Sequence, residues 1–390
     1  MGKRKKIGIL GSTGSIGTQS LDVISHFPED FDVVALSAGK NQALLNQQAT
    51  RFECQHLYLE AAQVPQNTPK DTNSPTSSKY FIGSLADFVE SVPADLWIVA
   101  TVGWVGVEPT LRIIEQGIDV ALANKEVLVC AGNLVMEAAN RNHVTIWPID
   151  SEHNALMQCL DAGRARGNAP VKRLILTCSG GPFRTSTPQQ ILTANAQQTL
   201  KHPTWEMGAK ITVDSSTLVN KGFEAIEAMH LFNLPMRQIE VVIHPQSFIH
   251  SMVEFVDGSI IAQMGRTDMR LPIQNILTQP HRKPTWLPSV DFTTLGSLDF
   301  SAPDFIRFPC LQMAYDCAEL GGTLPCVLNA ANEIAVQAHL NDEIKNGQIP
   351  LLIGKVLAQH SPVSKPTLPQ LVEADLWARH ETRLQLNSIR

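Results

Sequence analysis

The first 150 residues alternate short apolar runs with amphipathic stretches of helical length. KIGIL at 6–10 and FDVVALSAG at 31–39 are rich in apolar and β-branched residues and predict strands, whereas SIGTQSLDVISHF at 15–27 and NQALLNQQATRF at 41–52 predict helices. The runs DLWIVA, IDVALA and VTIWPID continue the pattern. Strands separated by helices of this length form βαβ units. Residues 1–150 are therefore predicted to form a Rossmann-like parallel sheet domain with helices on both faces.

The rest of the chain is less regular. The strand candidates RLILT, IEVVI, SMVEFV and IIAQM surround the helical stretch DSSTLVNKGFEAIEAMHLF, which predicts a central α+β domain over 151–278. Spaced prolines at 279–305 forbid a continuous helix and predict an extended linker. Helical periodicity in CLQMAYDCAEL, PCVLNAANEIAVQAHL and LVEADLWARHETRLQL predicts a C-terminal helical bundle over 306–390. A polar loop at 61–79 interrupts the first domain and is expected to be exposed and mobile.

Bulk properties narrow the class of protein. A chain of 390 residues is too long for one ordinary core, and a formal net charge of -6 gives no global attraction to nucleic acid or to an anionic membrane. No run of about 18 apolar residues occurs, so no membrane span is expected. The seven cysteines contain no Cys-x-x-Cys pair, which argues against a disulfide framework or a structural zinc site. These features, with a basic start that lacks the apolar stretch of a secretory signal, predict a cytoplasmic protein.

A glycine-rich turn follows the first predicted strand. Gly11, Gly14 and Gly17 lie in GSTGSIG, between a strand and an amphipathic helix. Glycine allows the backbone to turn sharply and approach a ligand, and the helix N-terminus offers free N–H groups to a pyrophosphate. A plain turn without a ligand is the alternative, but the strand–turn–helix context favours dinucleotide binding.

The end of the second strand distinguishes between the two nicotinamide cofactors. An NAD site usually has an acid there for the ribose 2'-hydroxyl, whereas LSAGKN has none and supplies Lys40. A basic residue suits the 2'-phosphate of NADP. The alternative is an exposed lysine before a helix; NADP is preferred.

Two carboxylates stand close together in PIDSEHNAL at 148–156. If the chain stays extended there, Asp150 and Glu152 point to the same side, because alternate residues of a strand share a face. The alternative is a helix cap with first-turn acids feeding a helix from Asn154 onward.

Two further segments carry polar groups that a core does not need. CSGGPFR at 178–184 presents Ser179 and two glycines after an apolar strand, and could bind an anion or form a plain turn. In the helical stretch, Asp214 or Ser215 could form a cap, and Asn220, Lys221 and Glu224 lie within about one turn. Gly222 inside a helix implies a close backbone approach. The alternative is a solvated polar face. The spacing from Glu227 to His230 matches half of a di-iron motif, but the second half is missing.

A third segment, KHPTWEMGAK at 201–210, combines His202, Trp205 and Met207 with proline and glycine. It is typical either of a lid over a site or of a structural anchor. Three carboxylates, Asp150, Glu152 and Glu224, favour a hard cation such as Mg2+ or Mn2+ over zinc, because neither cysteine nor paired histidine accompanies them. With an NADP domain and a Ser/Asn/Lys anion site, they indicate metal-assisted chemistry on a sugar phosphate.

The motifs GSTGSIG, AGKN, ANKE, PIDSEHNA, SGGPF, HPTWEMG and DSSTLVNKGFEAIEA, in this order, resemble the 1-deoxy-D-xylulose 5-phosphate reductoisomerase family over nearly the whole chain. The polar loop at 61–79 departs from the family pattern but lies away from every motif. The resemblance implies that the cofactor is bound by Thr13, Gly14, Ser15, Ile16, Gly39, Lys40, Asn41, Asn124, Glu126 and Gly208. It implies metal binding by Asp150, Glu152 and Glu224, phosphate binding by Ser179, Ser215, Asn220 and Lys221, and contact with the reacting end of the substrate by Lys125, Ser151 and His202. Residues 201–210 would be a flap.

The same resemblance implies the reaction. NADPH and a divalent ion, Mg2+, Mn2+ or alternatively Co2+, would support rearrangement of 1-deoxy-D-xylulose 5-phosphate by retro-aldol cleavage and recombination, followed by hydride reduction to 2-C-methyl-D-erythritol 4-phosphate of the non-mevalonate isoprenoid pathway. Lys125, Asp150, Glu152, His202 and Glu224 would be the catalytic residues of a homodimer. A simple NADP-dependent aldehyde or semialdehyde reductase, active without metal, and a non-catalytic NADP-binding regulator are the alternatives.

Overall fold

The computed structural model describes residues 3–60, 78–164, 170–201, 204–205 and 207–389. Most of the predicted polar loop, residues 61–77, and the predicted substrate residue His202 lie outside the described residues. The chain divides into two compact units. The first comprises Met1–Val127, Val135–Asp150 and Met269–Thr285, and the second comprises Leu128–Leu134, Ser151–Asp268 and Trp286–Arg390.

The first unit is built on a parallel seven-stranded sheet. Its strands are β1 Lys5–Leu10, β2 Phe31–Ala38, β3 His56–Leu59, β4 Lys79–Tyr80, β5 Leu96–Val99, β6 Asp119–Leu122 and β7 Ile146–Pro148, in the order β4-β3-β2-β1-β5-β6-β7. Helices α1 Ser15–His26, α2 Gln42–Arg51, α3 Leu85–Ser91 and α4 Val107–Glu115 connect strands, as does α5 Glu126–Asn142. The central strands are buried on both faces, which explains their continuous apolar runs. The predicted Rossmann-like sheet is confirmed.

A short return of the chain completes the first unit. Helix α11, Arg270–Leu277, packs beside α1, and the guanidinium of Arg270 lies 3.1 Å from the Asp22 carboxylate. Gln274 then donates a hydrogen bond to the carbonyl of Lys283 at 2.8 Å. The structure thus groups 269–285 with the first unit, whereas the sequence pattern divides these residues between the predicted α+β domain and the linker. The difference arises from contacts more than 240 residues apart in sequence, such as Arg270 with Asp22.

The second unit contains a four-stranded mixed sheet and most of the helices. The strands are β8 Val171–Cys178, β9 Ile239–Ile243, β10 Ile249–Phe255 and β11 Ile260–Met264, in the order β11-β10-β8-β9. The helices are α6 Ser151–Arg164, α7 Pro188–Thr193, α8 Ala196–Thr199, α9 Ala209–Ser216, α10 Val219–Phe232, α12 Pro309–Leu320, α13 Leu324–Leu340, α14 Gln348–Gln359 and α15 Leu368–Ile389. The predicted strands and C-terminal helices are confirmed; α14 has no counterpart in the predicted elements.

The C-terminal helices share one core with the sheet of the second unit. The buried cluster runs from Leu174 on β8 through Phe223 on α10 to Ala314, Val327 and Ile353 on the C-terminal helices. A side chain at Gly222 would collide with the Cβ of Ala314, so the backbone of α10 packs directly against the side chain of Ala314 on α12. This close approach is the one expected from a glycine inside a helix. Because of this packing, 306–390 is compact with 151–268 and does not separate from it.

One local expectation is wrong, and one open alternative is decided. Residues 214–232 do not form one helix with a cap at Asp214 or Ser215: α9 ends at Ser216 and α10 begins at Val219, with Leu218 between them in a left-handed conformation at φ 60°. Of the two alternatives for PIDSEHNAL, the structure shows the helix with a first-turn acid: α6 begins at Ser151, three residues before the expected Asn154, and places Glu152 in its first turn. Acidic side chains are favourable at a helix N-terminus because the helix dipole is positive there.

Candidate active site

The glycine-rich turn of the first unit leaves a helix N-terminus open. Gly11 has φ 82°, and a side chain at Gly17 would collide with the Gly11 carbonyl, so both positions require glycine. Helix α1 begins at Ser15, and its N-cap residue, Gly14, has no side chain that could form a capping hydrogen bond. The first N–H groups of α1, which include those of the predicted residues Ser15 and Ile16, are therefore free to bind an anion.

Two residues that the motif does not reveal hold this turn. Ser37 accepts a hydrogen bond from the Gly11 N–H at 3.0 Å. Gln48 on α2 donates to the carbonyl of Ser12 at 2.9 Å and accepts from its hydroxyl at 2.8 Å. Ser12, Ser37 and Gln48 are all buried. Their role depends on contacts 25 or more residues away, and the only sequence signal is a polar residue on the buried side of a helix.

The residues predicted to select NADP lie at the end of β2. Gly39, Lys40 and Asn41 are all exposed. Asn41 caps α2 by accepting a hydrogen bond from the Leu44 N–H at 3.1 Å. An exposed Lys40 agrees both with 2'-phosphate binding and with a solvated lysine, so its role stays a prediction.

Asn124 has a structural role that the sequence does not show. Its side chain is 1% exposed and its amide donates to Thr101 Oγ1 and to the carbonyl of Gly103, both at 3.0 Å. Asn124 thus fixes the loop that follows β5. At the start of α5, Lys125 pairs with Asp150 at 2.6 Å, and both side chains are largely buried. Glu126, the residue after Lys125, is also buried.

In the second unit, a buried lysine bridges two carboxylates. The ammonium of Lys221 lies 2.9 Å from Glu152 Oε1 and also pairs with Glu224 Oε2, and the three side chains are 4%, 16% and 2% exposed, respectively. Burial by itself lowers the pKa of Lys221, but the charges of Glu152 and Glu224 outweigh this and hold the pKa above its usual value. The cluster therefore holds a full positive charge between two acids.

The two carboxylates are also fixed by neutral neighbours. Asn220 donates to Glu224 Oε1 at 2.6 Å, which confirms the expected contact between residues four apart on α10. Ser151 donates to Glu152 Oε2 at 2.6 Å. Oxygen donors, high negative charge and a cation already held between them are the properties of a site for a hard divalent ion, so the residues present fit such an ion.

The predicted phosphate residues meet in the same unit. Gly180 and Gly181 both have positive φ, and the Gly181 N–H donates to Ser179 Oγ at 3.2 Å. A side chain at Gly181 would collide with the carbonyl of Ser215, so the loop after β8 lies directly against the end of α9. Ser179 and Ser215 are half-buried. The left-handed turn at Leu218 then leads into Asn220 and Lys221.

A buried histidine–carboxylate pair supports the Glu224 backbone, and the sequence reasoning missed it. His153 Nε2 lies 2.7 Å from the carbonyl of Glu224, and its Nδ1 lies 3.5 Å from Glu227 Oε2. Both side chains are fully buried. Within PIDSEHNAL the histidine was visible, but only the fold shows that it reaches a residue 71 positions away.

The predicted flap is described in part. The ring of Trp205 is half-buried, with its centroid 6.3 Å from the ring of His250. Burial lowers the pKa of His250 to about 4, so this ring is neutral at pH 7. Gly208 is the N-cap of α9. A half-buried ring agrees with either predicted role of Trp205, that of a lid residue or that of a structural anchor.

Three family models match the chain: "1-deoxy-D-xylulose 5-phosphate reductoisomerase" at residues 7–132, its C-terminal domain at 146–232, and "DXP reductoisomerase C-terminal domain" at 264–381. A 1-deoxy-D-xylulose 5-phosphate reductoisomerase from Pelotomaculum thermopropionicum is 47% identical over 96% of this chain and 97% of its own. One from Bacteroides fragilis is 47% identical over 98% of each chain.

Solved structures agree. The reductoisomerase from Zymomonas mobilis in complex with NADPH has a TM-score of 0.90 at 39% identity, covering 99% of this chain and 100% of that one. A reductoisomerase in complex with NADPH, fosmidomycin and magnesium has a TM-score of 0.91 at 36% identity, covering 99% of each chain. Among the described residues, no helix is both long and apolar enough to cross a membrane. By sequence and by fold, the chain belongs to the 1-deoxy-D-xylulose 5-phosphate reductoisomerase family.

Proposed function

We propose that this enzyme uses NADPH and a divalent cation to convert 1-deoxy-D-xylulose 5-phosphate into 2-C-methyl-D-erythritol 4-phosphate. The observation that carries the proposal is the buried Lys221 between Glu152 and Glu224, in the same unit as the contact of Gly181, two residues after Ser179, with Ser215. A cation-binding pair of carboxylates beside an anion-binding pair of serines suits a phosphorylated substrate that must also chelate a metal. A simple reductase needs no such pair.

The first unit would bind NADPH. The open N-terminus of α1 suits the pyrophosphate, with Thr13, Gly14, Ser15 and Ile16 around it, and Lys40 suits the 2'-phosphate. Asn124 and Glu126 would also contribute to cofactor binding, Asn124 by fixing the loop after β5. The Zymomonas mobilis relative, solved with NADPH, supports this assignment.

Glu152 and Glu224 would hold the divalent ion, with Asp150, which precedes Glu152 by two residues in the chain. Relatives solved with magnesium support a divalent ion as a cofactor. When bound, such an ion supplies Lewis acidity, which polarises the substrate carbonyl and stabilises negative charge on oxygen. Asn220 and Ser151 keep the two carboxylates oriented through their hydrogen bonds.

Ser179, Ser215, Asn220 and Lys221 would bind the substrate phosphate. Lys221 then has two alternative partners, the carboxylates seen here and the phosphate. The buried charge of Lys221 would be compensated in either arrangement, so the lysine could pair with the phosphate while Glu152 and Glu224 hold the ion.

Lys125, Ser151 and His202 would contact the reacting end of the substrate. Lys125 carries a charged ammonium able to stabilise oxygen charge during hydride transfer. The segment 201–210 would close over the substrate and exclude water. Binding of the phosphate group would anchor the substrate through atoms that do not react.

The enzyme is further proposed to be a cytoplasmic homodimer. Strand β11 is the outer strand of the four-stranded sheet, and Ile260 at its start is 53% exposed. An exposed apolar edge strand is suited to pairing with a second copy. None of the seven cysteines is paired, which suits a reducing compartment. Light scattering after gel filtration would give the mass: twice 42.8 kDa supports the dimer and 42.8 kDa contradicts it.

The function is tested by following NADPH oxidation after addition of 1-deoxy-D-xylulose 5-phosphate, with and without a chelator. Turnover that stops with the chelator and returns with excess Mn2+ or Mg2+ supports the proposal. Turnover that continues in the chelator would favour the simple reductase.

A further inference from the structure

Ser215 lies between two buried polar residues that are tied to the C-terminal helices. Asp214 is 1% exposed and Ser216 is 1% exposed, whereas Ser215 between them is half-buried. The two neighbours therefore point into the core of the second unit while Ser215 points outward. Their partners lie more than 100 residues further along the chain.

Asp214 is held from two sides. Its Oδ1 accepts a hydrogen bond from the amide of Asn332 on α13 at 2.8 Å. Its Oδ2 pairs with Lys210 at 2.8 Å, one turn earlier on α9. Both carboxylate oxygens are thus used, and the side chain has one available orientation.

Ser216 is held from a second point of the C-terminal region. Its hydroxyl lies 2.8 Å from Asn346 Oδ1, between α13 and α14. Asn346 is itself fixed, because its backbone N–H donates to the carbonyl of Ala194 at 3.0 Å and its side-chain amide donates to that of Ile191 at 3.4 Å.

The loop that carries Ser179 leaves Ser215 little freedom on its other side. Gly181 lies against the carbonyl of Ser215 with no room for a side chain. A shift of α9 therefore changes the separation of Ser179 and Ser215, the two serines proposed to bind phosphate.

Asn332 carries a cost that a purely apolar residue would avoid. The side chain is fully buried, and among the described residues its Oδ1 has no hydrogen-bond partner. Its amide donor is directed at Asp214 alone. Buried hydrogen bonds of this kind fix one arrangement where apolar contacts would tolerate several.

We propose that Asn332 and Asn346 are positioning residues for the substrate phosphate, acting through Asp214 and Ser216 on Ser215. The inference rests on the proposed function for the identity of the substrate. It assigns to the C-terminal helices a direct part in the geometry of the phosphate site.

The matched test uses two asparagines of α13. Asn332→Ala removes the contact with Asp214, whereas Asn329→Ala removes an equally buried amide that donates to Glu333 on the same helix. For both variants the KM for substrate, the KM for NADPH, kcat, the inhibition constant of inorganic phosphate and the melting temperature are measured. Asn332→Ala is expected to raise the KM for substrate and the inhibition constant of phosphate about tenfold, leaving the KM for NADPH unchanged. Asn329→Ala is expected to change neither phosphate-dependent constant.

Equal phosphate-dependent constants in the two variants, with only the melting temperature lowered, would overturn the proposal. If Asn332→Ala does not fold, Ser216→Ala breaks the second connection by removing one hydroxyl and is expected to raise the same two constants. Calorimetric titration of inorganic phosphate distinguishes failure of the proposed function from failure of the positioning role. A wild-type protein that binds phosphate without turning over the substrate contradicts the proposed function, while weaker phosphate binding by Asn332→Ala still supports the positioning role.

Discussion

Replacing Glu224 with glutamine should remove metal binding without removing cofactor binding. The Glu224 side chain is 2% exposed, accepts a hydrogen bond from Asn220 at 2.6 Å and pairs with Lys221. The change keeps the shape of the side chain and removes its charge. It also turns one acceptor into an N–H donor that must face the amide of Asn220 or the ammonium of Lys221.

The strength of a charge-assisted contact gives a lower bound for the effect. A hydrogen bond to a charged group contributes about 1.5 to 3 kcal/mol, and about 1.4 kcal/mol corresponds to a tenfold change in a dissociation constant. A carboxylate that binds the ion directly should contribute at least as much, so loss of the Glu224 charge should weaken Mn2+ binding by at least about 10- to 150-fold. Turnover should fall below detection, because the substrate oxygens lose their electrophile.

Calorimetric titration of Mn2+ and NADPH into Glu224→Gln and Glu227→Gln provides the assay. Glu227 is one turn further along the same helix and faces His153 at 3.5 Å, so the same chemical change is made beside a different partner. Glu227→Gln should bind Mn2+ and remain active, and both variants should bind NADPH. Loss of Mn2+ binding in Glu227→Gln, with binding intact in Glu224→Gln, would refute the assignment and move the metal site one turn along α10.

Four further changes test other parts of the account. Lys40→Ala should raise the KM for NADPH, because it removes a charge-assisted contact with the 2'-phosphate that contributes about 1.5 to 3 kcal/mol, and should leave the KM for NADH unchanged. Steady-state kinetics with both cofactors test this, and an equal rise of the two KM values would contradict the NADP preference. Trp205→Ala should lower kcat and leave NADPH affinity intact; a lower melting temperature with unchanged kinetics would make Trp205 an anchor. Lys221→Met should raise the KM for substrate without weakening Mn2+ binding in calorimetry, because the ammonium competes with a metal for the carboxylates; weaker Mn2+ binding opposes this reading. Burial lowers the pKa of His230 and His250 to about 4, so the unfolded chain takes up protons first as the pH drops from about 6.5 to 4. The free energy of unfolding should therefore fall over this range, by at most about 3 kcal/mol for each histidine. Urea unfolding of His230→Gln should show a free energy that depends less steeply on pH than that of the wild type, and an equally steep dependence would exclude His230 as a cause.

The parts of the fold that the sequence predicts are those with a local signal. The parallel sheet follows from apolar runs such as that of β5, which is buried along its whole length. The turn at Gly11 and Gly17 is predictable because only glycine fits these two positions, where a side chain would collide with neighbouring backbone atoms. The contact between Asn220 and Glu224 follows from helical spacing.

The parts that it does not predict depend on distant contacts. The break between α9 and α10 occurs at Leu218, a residue with no preference for its left-handed conformation, so tertiary packing imposes it. The contacts of His153 with Glu224, and of Asn332 with Asp214, join residues 71 and 118 positions apart. The sequence offers one chemical hint: LPCVLNAANEIAVQAHL places two asparagines among mostly apolar residues on the buried part of a helix, and such residues need buried partners.

The central claim is that the carbon skeleton is rearranged before it is reduced, and proton NMR of the product tests it most directly. Reduction of the unrearranged ketone and reduction after rearrangement give products of the same mass, so mass spectrometry alone does not separate them. In 2-C-methyl-D-erythritol 4-phosphate the methyl group is attached to a carbon without hydrogen and gives a singlet. In the unrearranged alcohol it is attached to a CHOH carbon and gives a doublet. The account predicts a methyl singlet that appears at the rate of NADPH oxidation and only with a divalent ion present; a methyl doublet would contradict it.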